Sequence, residues 1–234
     1  MLGTLHLMRA FLTWLVILGF FAKAFGQDSL EQRVRLPIWT FHQKRTTTVG
    51  LNMGLGTVRE TPRHVMTIGV HAEALGVGLF LLLAPREATA RDSVEWGRRL
   101  NDPLSERIYG MSVSPLGAVC DCAVHGLSMN GGGVYQRQVN GLSAAFAINQ
   151  VDLMSGVQAA CHVNFAFRAS GLQASFIRNS AVVLHGVQVS AINRTVHGYG
   201  IQVGIYNQAK RLRGAQIGIW NVNQRRKWPL INWA

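Results

Sequence analysis

From Gly110 onward, apolar and polar positions follow one pattern that returns every fourteen to sixteen residues, each unit opened by a glycine: Gly110, Gly126, Gly141, Gly156, Gly171, Gly186, Gly200 and Gly214. Aligned on those glycines the units read GMSVS, GLSMN, GLSAA, GVQAA, GLQAS, GVQVS, GIQVG and GAQIG. The position after the glycine is apolar in all eight (Met111, Leu127, Leu142, Val157, Leu172, Val187, Ile201, Ala215), and so is the position two further on (Val113, Met129, Ala144, Ala159, Ala174, Val189, Val203, Ile217). Between them stand Ser112, Ser128 and Ser143, then Gln158, Gln173, Gln188, Gln202 and Gln216. This alternation has period two, the mark of a β-strand with one buried face. A unit this short cannot bury its own apolar face, so a core forms only when neighbours stack.

Each unit then passes a small residue and reaches an asparagine: Asn149, Asn164, Asn179, Asn193, Asn207 and Asn221. Asparagine tolerates the left-handed turn conformation and bonds its own backbone, which suits a residue that leaves a strand. Glycine serves the opposite corner. If like strands stack in parallel register, equivalent glutamines lie about 4.8 Å apart and form an amide ladder, as do the asparagines. An antiparallel meander would reverse each neighbour and separate a column from itself. The expected fold is therefore all-β, a parallel β-solenoid with a long strand, a corner and a shorter strand, such as residues 181–184, in each coil. The alternative is an antiparallel β-barrel in an outer membrane. A repeat of this length barely holds a spanning strand of about nine to eleven residues plus its turns, and Pro229 and sparse aromatic belts also disfavour it.

Outside the repeats the chain divides into three further parts. Residues 1–26 carry His6 and Arg9, an apolar run from Ala10 to Ala22, and small residues at Ala24 and Gly26, the pattern of a cleaved secretory signal. The run is thirteen residues long, short of the roughly 20 that span a bilayer. Residues 27–109 hold weaker echoes of the repeat around Gly50 and Gly69 and read as degenerate opening coils, interrupted at 84–107 by an insertion with ten charged residues. The repeats proper run over 110–224. Residues 225–234 read as a cap, in which charge and Pro229 discourage strand addition while Trp228 and Trp233 cover apolar core.

Charge is uneven. Residues 27–128 hold eleven Lys/Arg against ten Asp/Glu, whereas 129–234 hold ten against Asp152 alone. Lys210, Arg211, Arg213, Arg225, Arg226 and Lys227 concentrate that excess and are candidate anion-binding residues for envelope lipids or polysaccharides. Export argues against nucleic acid as the partner; another surface protein is a further candidate. The three cysteines, Cys120, Cys122 and Cys161, do not form a disulfide framework and read as small core residues, with one pairing through Cys161 left open.

Chemistry is scarce. Asp152 is the sole carboxylate after Asp121, so acid–base pairs are missing from the repeats. The corners carry Asn and Gly where calcium-binding rolls carry Asp. His125, His162, His185 and His197 occupy different positions in their units, and Asp121, His125 and Ser128 lack a nucleophile elbow. Gly131, Gly132 and Gly133 precede no Lys-Ser/Thr and read as a bend. The expectation is no enzyme, no metal and no cofactor.

The stretches GIQVGIYNQAKRLRGAQIGIWNVNQRRKWPLINWA and TTTVGLNMGLGTV resemble a family of bacterial surface-repeat proteins common among exported proteins of Bacteroidetes and related groups. The resemblance is strongest from Gly186 onward; between Gly126 and Ser180 the family's second glycine is replaced by Ala, Ser or Asn. It implies surface location and repeat architecture, with no assigned activity and no functional residue. The expected role is a non-catalytic exported structural or adhesive element, the rivals being an outer-membrane barrel and a glycan- or peptide-binding solenoid.

Overall fold

Ten glycines, from Gly50 and Gly69 through to Gly214, share one conformation with φ between +112° and +145°. At nine of them an added Cβ would lie 1.9–2.3 Å from the carbonyl oxygen of the glycine one coil earlier. The backbone therefore turns at a point where only glycine fits, and it does so at the same point in every coil. In this computed structural model the described residues are 33–35, 38–39, 45–54, 64–74, 76, 78, 81, 97 and 101–234. The expected signal segment and most of the charged insertion lie outside them.

Thirteen strands form one sheet: β1 (Arg33–Arg35), β2 (Ile38–Trp39), β3 (Thr46–Gly54), β4 (Val65–Glu73), β5 (Glu106–Ser114), β6 (Val119–Asn130), β7 (Val134–Ala145), β8 (Ile148–Ala160), β9 (Val163–Ser175), β10 (Arg178–Val189), β11 (Ile192–Val203), β12 (Tyr206–Val222) and β13 (Lys227–Trp233). From β3 to β12 every neighbour is parallel and glycine pairs with glycine: Gly50 with Gly69, and so on to Gly200 with Gly214. The chain is a parallel β-solenoid of about nine turns. Its parallel registers exclude the antiparallel barrel, in which neighbours must reverse. Glu106 and Arg107, read as the end of the insertion, instead open β5, and Glu106 is buried.

One strand serves each coil, bent twice. In β10 the buried residues are Asn179, Ala181, Leu184 and Gln188. The steps of two, three and four show where parity breaks. The first break is at Val182, which the register skips, and the second is at Gly186. Each coil thus has three short sides with a turn closing the third, and the shorter strand expected at 181–184 is part of the same strand as the glycine segment. Asn149, Asn164, Asn179, Asn193 and Asn207 open their strands instead of ending them, Asn221 lies near the end of the long β12, and none of the six has positive φ. Their value lies in the side chain.

The sheet is inverted relative to the simplest reading of its pattern. The apolar columns flanking the glutamines face outward: Leu127, Met129, Val189, Ile201 and Ile217 are exposed, while Gln158, Gln173, Gln188, Gln202 and Gln216 are fully buried. The apolar part of the interior comes from the side before the glycine, where Ile108, Val124, Val139, Met154, Ala169, Leu184, Gly198 and Leu212 stack in one column.

Cys120 and Cys122 form a disulfide, and Cys161 is free. The expectation of small core cysteines, with one pairing through Cys161 left open, is thus corrected: the pairing is between Cys120 and Cys122, at the place where β6 shifts register against β7 between Cys120 and Ala123.

Candidate functional site

Two polar structures define what the molecule can do: an internal amide column and a basic end. The column begins well before the repeats. Asn52, His71, Ser112, Ser128, Ser143, Gln158, Gln173, Gln188, Gln202 and Gln216 are joined by successive registers, and Asn232 of β13 completes the series opposite Gln216. All eleven are at most 4% exposed. A buried amide without partners costs several kcal/mol, and here each glutamine is satisfied by the next. Gln173 Nε2 donates to Gln158 Oε1 (2.7 Å), Gln188 to Gln173 (2.7 Å), Gln202 to Gln188 (2.8 Å) and Gln216 to Gln202 (2.8 Å). Gln158 Nε2 ends the run on the carbonyls of Asn149 and Phe165 (2.9 and 3.1 Å). At the other end Asn232 Nδ2 donates to Gln216 Oε1 (3.2 Å).

The asparagine ladder runs with the opposite polarity. Asn164 Nδ2 donates to Asn179 Oδ1 (2.9 Å), Asn179 to Asn193 (3.1 Å), Asn193 to Asn207 (2.9 Å) and Asn207 to Asn221 (2.8 Å). Asn149 is in register but outside this chain; it binds Ser143 Oγ and the carbonyls of Ser143 and Ala159. Gly204 and Gly218 belong to this ladder's packing, because a Cβ there would lie 2.7 and 2.6 Å from Asn193 and Asn207 Nδ2. In the two units before them Ser175 and Ser190 fill that place and donate to Asn179 and Asn193 Oδ1.

Near the first coils the column becomes ionisable. Asn52 Nδ2 donates to Thr67 Oγ1 (3.0 Å), and His71 Nδ1 lies 3.2 Å from Glu106 Oε1 with both side chains buried. This cluster is sealed inside the coil. Its signal in the sequence was the Gly-Val-His-Ala segment, with histidine where later units carry serine or glutamine.

The six candidate anion-binding residues lie on the last full coil and on the turn that follows it. Lys210, Arg211 and Arg213 are exposed on the last full coil, and Arg225, Arg226 and Lys227 are exposed on the turn into β13. The turn is held by Asn223 Oδ1, which accepts from the backbone N–H of Arg225 and Arg226 (2.9 and 3.0 Å). Gln224 fastens it to the coil by bonding both the N–H and the carbonyl of Leu212 (2.8 and 3.2 Å), between Arg211 and Arg213. Asp152, the one acid after residue 128, is buried. The terminal aromatics do not cover the core as expected: Trp228 and Trp233 are 56% and 55% exposed, Arg226 lies over the Trp233 ring, and the residue sealing the interior is Asn232.

The remaining chemistry-bearing residues are dispersed. Ser128 turns inward and donates to Gln136 Oε1 (2.9 Å), His125 faces outward against Tyr109 and Asn140, and Asp121 lies beside Arg137, so the three do not assemble. His125 and His185 do share one column, just before the glycine, contrary to the sequence reading; His125 stacks on Tyr109 with ring centroids 4.8 Å apart, and His185 lies against Tyr199 at 4.7 Å with its ring tilted by 31°. His197 stands one column aside and His162 lies in a turn. No group of three or more His, Cys, Asp or Glu placed to hold a metal occurs among the described residues.

The fold puts the protein in the class of parallel β-solenoids. No protein-family model, curated protein or solved structure matches the chain.

Proposed function

We propose that the protein is a non-catalytic, exported structural element of a cell envelope whose basic end engages anionic envelope components. The observation that carries this reading is the exposure of Lys210, Arg211, Arg213, Arg225, Arg226 and Lys227 on the last coil and its following turn, which Gln224 fastens to Leu212 between Arg211 and Arg213, on a repeat half whose one acidic side chain, Asp152, is buried. Such a patch attracts phosphate-rich surfaces, each cation contributing about 1 kcal/mol near an anionic membrane. The leader-like sequence of residues 1–26 and the resemblance to bacterial surface repeats support export. The inward-facing amides support a scaffold, since the polar groups of the column are used up in holding coils together.

Flotation with anionic phospholipid vesicles tests this. Binding is expected to be absent from zwitterionic vesicles and to fall steeply with salt. The triple variant Arg225→Ser, Arg226→Ser, Lys227→Ser is expected to bind on the order of a hundredfold more weakly. Salt-independent binding, or equal binding to both vesicle types, would remove the proposal. A glycan- or peptide-binding role is the second reading, favoured by the stacked Tyr109–His125 and tilted His185–Tyr199 ring pairs with Arg213 above Tyr199.

A further inference from the structure

The third side of each coil, just after the glycine, presents an outer face with no polar side chain in it. One column runs from Leu51 to Ala215 and ends at Trp233; its neighbour runs from Met53 to Ile217 and ends at Ile231, and every member of both is apolar. Eleven strands at about 4.8 Å spacing make the face about 48 Å long and, four residues across, about 13 Å wide. That is far beyond the scattered apolar residues of an ordinary surface. We infer that this face is the contact between two copies of the chain, packed sheet against sheet.

Three observations select a second copy over a lipid surface. The face offers about 600 Å² per copy, so a pair buries about 1,200 Å² in all, above the roughly 1,000 Å² that a specific interface needs. Arg168, Arg194, Arg211 and Arg213 belong to columns on the other two sides of the coil. A solenoid resting on a membrane by its apolar face would hold those cations away from the headgroups, whereas a pair packed on that face displays them on both outer sides. The face also carries both parts of a self-complementary fit, as an interface between identical copies requires. Phe146 and Phe176 project at its edge, 62% and 78% exposed, beside a slot of about 770 Å³ floored by Ala144, Ala159 and Ala174.

The inference rests on the fold and not on anion binding, so the two fail separately. Light scattering of the intact chain is expected to give twice the chain mass. Ala159→Arg, in the slot, and Phe176→Ala, at its edge, are each expected to give the single-chain mass with an unchanged far-ultraviolet β spectrum, while Ser170→Arg on the neighbouring side keeps the doubled mass. Two variants guard against misfolding of either. A single-chain mass for the unaltered protein, or a doubled mass that survives both substitutions, overturns the inference. So does a single-chain protein that floats with zwitterionic vesicles and loses that property in Ala159→Arg, which would give the face to lipid.

Discussion

Gln188 is held from both sides: its Nε2 donates to Gln173 and its Oε1 accepts from Gln202. Replacing it with leucine leaves Gln173 Oε1 without a donor and takes one acceptor from Gln202 Nε2, both fully buried. Unpaired buried groups of this kind cost about 1–3 kcal/mol each, so Gln188→Leu is expected to lose about 2–5 kcal/mol. Gln136 is equally buried but stands between Cys120 and Val151, and its Nε2 has no partner. Gln136→Leu deprives the buried Ser128 hydroxyl of its acceptor but also removes that unpartnered Nε2, so it should cost less, about 0–2 kcal/mol. Denaturant midpoints of the two variants check the contrast, and equal shifts would count against the ladder. At this scale the sequence was informative where residues recur and silent where they do not. The glutamine and asparagine columns could be read from their period. Asn232 could not, because β13 runs antiparallel and its apolar–Asn–apolar triplet Ile231-Asn232-Trp233 matches Ala215-Gln216-Ile217 only when reversed.

The coil is set by its glycine corner. At Gly171 φ is +121° and an added Cβ would meet the Gly156 carbonyl oxygen at 2.1 Å. That oxygen belongs to the backbone of a paired strand and has no room to yield. Gly171→Ala is expected to cost about 3 kcal/mol or more, combining the disfavoured conformation with the clash. Gly97, with nothing within 4 Å of an added Cβ, is the matching control and should tolerate alanine with a change under about 1 kcal/mol. Thermal unfolding of both variants decides it; a small shift at Gly171 would mean the corner is looser than described. Strand and period were legible at this scale, but which face points inward was not. Alternation says which residues share a face, and the choice of inside belongs to the closed coil. Leu172 and Ala174 could have lined a core with Gln173 outside; the Gly171 corner and the skipped Phe167 reverse that, because the interior is filled from the other sides by Ala166 and Ala169.

Across the whole solenoid each coil touches only its neighbours, so stability is close to a sum of coil and interface terms, and the ends are its weakest points. The first coils and the last are sealed differently. Buried Asn52, Thr67, His71 and Glu106 occupy the opening, and Asn232 with the antiparallel β13 closes the other end. The parallel stack and the basic excess were legible from composition and repeat. The meeting of Arg213 with the turn at Arg225 was not, because it depends on Gln224 folding back to Leu212. The central claim is that equivalent strands lie parallel and in register with their amides turned inward. Side-chain amide resonances in solution NMR test it most directly. The Nε2 protons of Gln173, Gln188, Gln202 and Gln216 are expected to persist in D₂O as long as the strand backbone amides and to show contacts to the neighbouring glutamine, while those of Gln224, exposed and bonded only to the Leu212 carbonyl, exchange much sooner. Exchange of all four at the rate of Gln224, with no contacts between them, would contradict it.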